Sequence, residues 1–151
     1  MPSVFPASQH AVIKAILNRL VPAGAGFPGA GDLDLLVHLE RAAGSSPAAR
    51  RMFVHGVRQI GLESERRHAR IFEDLAADDQ DAVLRHVESQ HPTFFEALVT
   101  HVYLGYYSHP AVIERLGLEA RPPQPLGHVL PPFDPAITRS MSQRGPLYRQ
   151  P

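Results

Sequence analysis

Nine histidines and no cysteine set the chemistry open to this chain. The densest group of side chains able to ligate a metal is His86, Glu88, His91, His101 and His109. Its spacing is poor for a helical site, because the offset of five positions from His86 to His91 is about 500° of rotation, which leaves the rings on different faces. There is no His-Glu-x-x-His, and no Glu-x-x-His in the inward pattern of a di-iron bundle. No metal is expected. Without cysteine there is no thiolate nucleophile, disulfide framework, Cys-ligated zinc, iron–sulfur cluster or c-type haem attachment. Lys14 is the single lysine and follows Ile13 in a helical pattern, so it reads as a solvated surface residue and not as a Schiff-base amine.

The segment from Phe94 to Pro110 is the richest in functional side chains. His101 shares a helical stripe with Phe94, Ala97, Gly105 and Ser108, where small neighbours would admit another helix or a ligand. A lone histidine with no positioned carboxylate or nucleophile is weak grounds for catalysis, so packing or an interface is the expectation. Ser108-His109-Pro110 reads as a helix exit, with no Asp paired to His109 for triad service. Tyr103, Tyr106 and Tyr107 could stack on a sugar or a flavin, but aromatics at helical spacing more often serve as core or contact residues. No catalytic residue is assigned. The interface or pocket candidates are Phe94, Phe95, His101, Tyr103, Tyr106, Tyr107 and His109.

These residues must be carried by helices. Val12, Ile13, Ile16, Leu17 and Leu20 repeat at helical spacing after Ser8 as the candidate cap, and Pro22 closes the pattern. The glycines of Ala23 to Gly31 invite a phosphate-binding loop, but a dinucleotide loop follows a strand and a P-loop needs Gly-Lys-Ser/Thr. A plain, flexible connection between helices is expected there. Asp32 would cap a second helix to about Ala43, with Leu33, Leu36, Val37 and Leu39 inward and Glu40 and Arg41 outward. Ser46-Pro47 is a start signal for a third helix with Phe53, Val57 and Ile60 buried and Arg50, Arg51, His55 and Arg58 outside. The charged run Glu63 to Arg70 extends or follows it as a solvated segment. Asp78, Asp79 and Asp81 supply a cap and negative charge for a helix bearing Val83, Leu84 and Val87. Pro92 then begins the aromatic helix, whose inner stripe is Phe95, Leu98, Val99, Val102 and Tyr106, and Pro110 opens a short helix ended by Gly117.

The fold class is therefore all-α: a compact bundle of about five to six helices with an irregular Pro-rich C-terminal tail. One helical domain spans 8–119. Seven prolines between Pro122 and Pro146, together with Leu126, Val129, Leu130, Phe133, Ile137, Leu147 and Tyr148, make 120–151 an extended tail expected to pack on the domain or on a partner. A formal net charge of zero argues against nucleic acid as a partner. No run approaches the roughly 20 apolar residues of a membrane span. Met1 to His10 has neither a twin-arginine pair nor a basic region before an apolar stretch, so a cytoplasmic location is expected, or a periplasmic one on export with a partner.

Phe94-Phe95-x-x-Leu98, followed by Tyr103-x-Gly105-Tyr106-Tyr107-Ser108-x-Pro110, resembles the signature of the gluconate 2-dehydrogenase subunit 3 family. An early helix ending in Val21-Pro22, then Phe27-Pro28-Gly29-Ala30, then Phe72-x-x-Leu75 before Asp81-x-x-Leu84, is similar to the same family order; the resemblance runs over about residues 10 to 127. It implies a small helical subunit beside a large FAD-dependent, GMC-type oxidoreductase acting on gluconate, other sugars or glucosides, often with a cytochrome subunit. The flavin and catalytic base would belong to the large subunit, and no cofactor to this chain. The implied role is support of the partner's folding, stability or export. The rival expectation is a stand-alone enzyme, or a helical domain binding a small molecule or metal in a pocket around His101, Tyr103 and Tyr107. A homo-oligomer through the same aromatic patch is the third.

Overall fold

A computed structural model describes residues 3–118 and Ala136, and shows six α-helices with no strand among them. They are α1 (His10–Leu20), α2 (Leu35–Ala43), α3 (Pro47–His68), α4 (Ala77–Gln90), α5 (Pro92–Tyr107) and α6 (Pro110–Arg115). The all-α expectation holds. Everything below concerns the helical unit Met1–Ala120, because the expected Pro-rich tail lies outside the described residues apart from Ala136.

The core is built around α5. It packs on α2, α3 and α4, while α1 lies against α2, α4 and α5 and against two single-turn 3-10 segments, Ala30–Asp32 and Phe72–Asp74. α5 buries Phe94, Phe95, Leu98, Val102, Gly105 and Tyr106; α3 brings Phe53, Val57 and Ile60, and α1 brings Ile13, Ile16 and Leu17. Fully buried aromatic and aliphatic side chains each contribute about 1.5–3 kcal/mol, so this cluster dominates the fold energetics. No helix among the described residues is long and apolar enough to cross a membrane.

Ser46 caps α3 as its sequence predicts, accepting a hydrogen bond from the Ala49 amide at 3.0 Å with Pro47 in the first turn. The other expected caps differ. Ser8 sits inside a 3-10 turn, Ala7–Gln9, and α1 begins at His10 with no side-chain cap. Asp32 closes the 3-10 turn Ala30–Asp32, and Leu33 is extended, so α2 starts only at Leu35 and buries Leu35, Leu39 and Ala43. That register leaves Val37 half exposed, not inward. α4 starts after Ala76, so Asp78 and Asp79 lie in its first turn and stabilise the helix dipole without capping.

The run Glu63 to Arg70 is more structured than a solvated segment. α3 continues to His68 and stops at Ala69, whose φ of 51° is left-handed. Ser64 is fully buried and donates to the Arg70 carbonyl at 2.7 Å. Glu63 accepts from Arg66 at 2.7 and 2.8 Å, is paired with Arg67, and faces His86 of α4 at 3.3 Å. Arg66 above all, with Arg67 and His86 adding, outweighs the cost of desolvation and pulls the Glu63 carboxyl down to about 2.

The glycine-rich connection after α1 is a folded clamp and not a flexible linker. Gly24 and Phe27 exchange both backbone hydrogen bonds, at 3.1 and 2.8 Å, around Ala25 and Gly26 with φ of 49° and 81°. Those paired positive angles are the signature of a tight primed turn. Beyond it, the Asn18 side chain of α1 accepts from the Gly31 amide at 2.7 Å. A Cβ at Gly31 would meet Asn18 Cγ at 2.8 Å, so glycine is what lets the loop approach the helix.

Candidate functional site

α5 separates the sequence candidates into two groups by depth. Phe94 and Phe95 are buried in its first turn, Phe94 with its ring edge-on to Phe53 at 6.1 Å and its face over Gly56 of α3. Tyr106 is buried one helical face along, and its hydroxyl donates to the Pro28 carbonyl at 2.9 Å. Burial chiefly, and Tyr107 next to it, raise the Tyr106 phenol above its ordinary range, with Arg115 opposing. These three side chains anchor the fold. Tyr103 and Tyr107 stand on the other side of the helix, 46% and 58% exposed, with Leu104 at 56% between them. Their rings meet edge-on at 6.1 Å, and Tyr107 also meets Tyr106 at 5.3 Å, so the outer pair rests on a buried base.

His101 is half-buried and lies beside two rings, His38 of α2 and Phe53 of α3, each with centroids 5.9 Å away. It forms no hydrogen bond or ion pair with a carboxylate among the described residues. The small residue one turn on is used as its spacing suggested, to admit a neighbour. A Cβ at Gly105 would sit 3.1 Å from His38 Cγ and 3.3 Å from Leu35 Cδ2. His38 was not among the sequence candidates, though its place beside Leu39 on the inward side of α2 could have flagged it. Burial, then the adjacent His101 and Arg41, push its imidazole below the usual range, and its Nε2 is buried without a hydrogen-bond partner. A neutral, unpartnered imidazole held among rings is a packing element and is not placed to move protons.

His109 and Ser108 form the helix exit. His109 Nδ1 accepts from the Ala111 amide at 3.3 Å and caps α6, while Ser108 Oγ donates back to the Leu104 carbonyl at 2.6 Å. Both atoms are engaged in local contacts at the helix exit. Glu65 and Glu88, which open the two Glu-x-x-His stretches, are exposed. No group of three histidine, aspartate or glutamate side chains converges as a metal site among the described residues.

The glycine loop is not a phosphate cradle. The amides of Gly24, Phe27, Ala30 and Gly31 are already spent on Phe27, Gly24, Val21 and Asn18, so they offer no donors to a nucleotide. Larger concavities, of about 310 to 730 Å³, open on α2, on α3 and at the junction of α4 and α5; His101, Tyr103 and Tyr107 line none of them. What this region offers is a helix with an exposed Tyr–Leu–Tyr face seated on a buried base, a surface suited to contact.

A family model described as Gluconate 2-dehydrogenase subunit 3 matches residues 7–120. No curated protein and no solved structure matches the chain.

Proposed function

The chain belongs to the gluconate 2-dehydrogenase subunit 3 family, and from that membership we propose that it is a non-catalytic small subunit supporting the folding, stability or export of a large FAD-dependent sugar, glucoside or alcohol dehydrogenase. The observation that carries this reading is the face of Tyr103, Leu104 and Tyr107, exposed on a helix whose opposite side is locked into the core. Aromatic side chains on a rigid support are what interface hot spots are made of, since little conformational entropy remains to be lost on binding. In this reading FAD, and any cytochrome electron acceptor, belong to the other subunits.

Co-expression with a large FAD-dependent dehydrogenase subunit from the same genome tests the proposal. The expected outcome is a yellow complex that co-purifies, and a large subunit that becomes insoluble when the small chain is omitted. Tyr103→Ala/Tyr107→Ala is expected to weaken the complex by at least about 30-fold, the effect of losing about 2 kcal/mol at a hot spot. The small chain's own melting temperature should barely change, because exposed side chains contribute little to stability. A small chain that purifies alone, with the flavoprotein equally soluble in its absence, overturns the reading.

A further inference from the structure

The first half of α3 carries a cationic surface that the α5 face does not explain. Arg50, Arg51 and Arg58 are exposed and form no ion pair or hydrogen bond among the described residues. This is a local excess, since Lys and Arg together equal Asp and Glu at 15 each over the chain. Asp81 holds Arg19 and Arg85, Glu63 holds Arg66 and Arg67, and Glu40 of α2, which lines the neighbouring concavity with Arg50, accepts a hydrogen bond from Ser3 and forms no ion pair with these arginines. Arg50, Arg51 and Arg58 share with Met52, Val54 and His55 an open, shallow face of α3 of about 620 Å³. Through Arg50 it adjoins a second concavity of about 730 Å³ lined by Arg41, Glu40, Val4 and the half-exposed Val37. His55, its ring against His91 at 5.7 Å, borders the other end.

We propose that this arginine-bearing face of α3 docks an acidic, amphipathic polypeptide segment of another protein, with carboxylates on Arg50, Arg51 and Arg58 and an aliphatic side chain against Met52 and Val54. The chemistry selects this occupant. From residue 50 to residue 58 the helix advances about 12 Å, or roughly two helical turns, which matches carboxylates repeating along one helix face. Exposed guanidinium groups pair with carboxylates in bidentate geometry, and the apolar Met52 and Val54 beside them reward a side chain that bare phosphate lacks. The amide cluster that marks a phosphate site is missing, since Ser46 already caps this helix end. The chain's own C-terminal stretch is the wrong sign: after Ala120 it carries Arg121, Arg139, Arg144 and Arg149 against Asp134 alone. The surface is separate from the tyrosine face, so the inference stands or falls apart from the proposed function.

The probe is a labelled helical peptide of about twelve residues built from Glu and Leu, compared with a leucine-free peptide of Glu and Gln and with inorganic phosphate as competitor. With the full chain, the Glu–Leu peptide is expected to bind at low salt, to weaken as salt rises, and to bind at least about tenfold tighter than the leucine-free peptide. Arg50→Glu/Arg58→Glu should reduce its affinity at least about tenfold, while Tyr103→Ala/Tyr107→Ala leaves it unchanged. Both changes are on exposed positions, and an unchanged helical spectrum confirms folding. The proposal is overturned by no binding, by indifference to charge reversal, or by equal binding of the leucine-free peptide. Displacement by phosphate would mark a bare anion patch, and self-association abolished by charge reversal would make a second copy the occupant; either also overturns it.

Discussion

Gly56→Ala is the sharpest test of how α3 meets α5. Ala is the better helix former by about 0.8–1 kcal/mol, so propensity alone predicts stabilisation. The geometry opposes it. A Cβ at Gly56 falls within 3.0 Å of three ring carbons of Phe94, against 3.4–4 Å for ordinary contact. Phe94 is 4% exposed and packs edge-on against Phe53, so moving its ring off Gly56 gives up that contact. Overpacking of this kind costs about 1–3 kcal/mol, and the rigid neighbour places the substitution at the upper end. Subtracting the propensity gain leaves a destabilisation of about 2 kcal/mol, or a melting temperature lower by roughly 8 °C at about 4 °C per kcal/mol. Gly61→Ala on the same helix is the control. Nothing lies within 4 Å of its added methyl, so it should raise stability by about 0.5–1 kcal/mol. Removing the obstacle should reverse the sign, so that Gly56→Ala stabilises a Phe94→Ala background. Urea and thermal unfolding followed by circular dichroism read the four variants against the parent. A Gly56→Ala variant as stable as the parent, or one whose loss persists without the Phe94 ring, would refute the packing argument.

Two further outcomes follow from polar contacts. Tyr106→Phe leaves the Pro28 carbonyl without its donor, and should lower stability by about 1–2 kcal/mol in urea titrations; no loss would mean that the hydroxyl does not hold the loop. Glu63 has a carboxyl depressed to about 2 in the folded chain, so the unfolded chain binds its proton more readily. Its stabilisation is complete above the ordinary carboxylate value of 4.5 and fades as pH falls toward 2. Glu63→Gln should therefore be less stable than the parent at neutral pH, with the difference shrinking across that window; parallel acid-denaturation curves would rule the contribution out.

The helices were legible because their apolar spacing is strong: Ile13, Ile16 and Leu17, then Phe53, Val57 and Ile60, then Leu98, Val102 and Tyr106, all fall inside. Ser46-Pro47 was readable because a cap and a proline at the first helical position act locally. Helix starts at Ser8, Asp32 and Asp78 were not, because acidic and hydroxyl residues also favour 3-10 turns and first-turn positions, and tertiary packing chooses among these. Val37 went astray with the start of α2. The family-like aromatic block was visible as a motif, yet its division into buried Phe94, Phe95 and Tyr106 and exposed Tyr103 and Tyr107 depended on which helices surround α5. His38, Asn18 and Glu63 escaped notice because their partners lie across the fold, where single-helix periodicity carries no information.

The bond from Tyr106 to Pro28 spans 78 residues. During synthesis the first helix and its glycine clamp emerge well before the hydroxyl that fastens them. At about 5–20 residues per second the ribosome needs roughly 4–16 s to bridge that interval. Throughout it, the Pro28 carbonyl waits for a donor that does not yet exist. Completion of the N-terminal part of the molecule is thus timed by the arrival of α5, and a nascent chain cut before Tyr106 should keep this loop open to proteases.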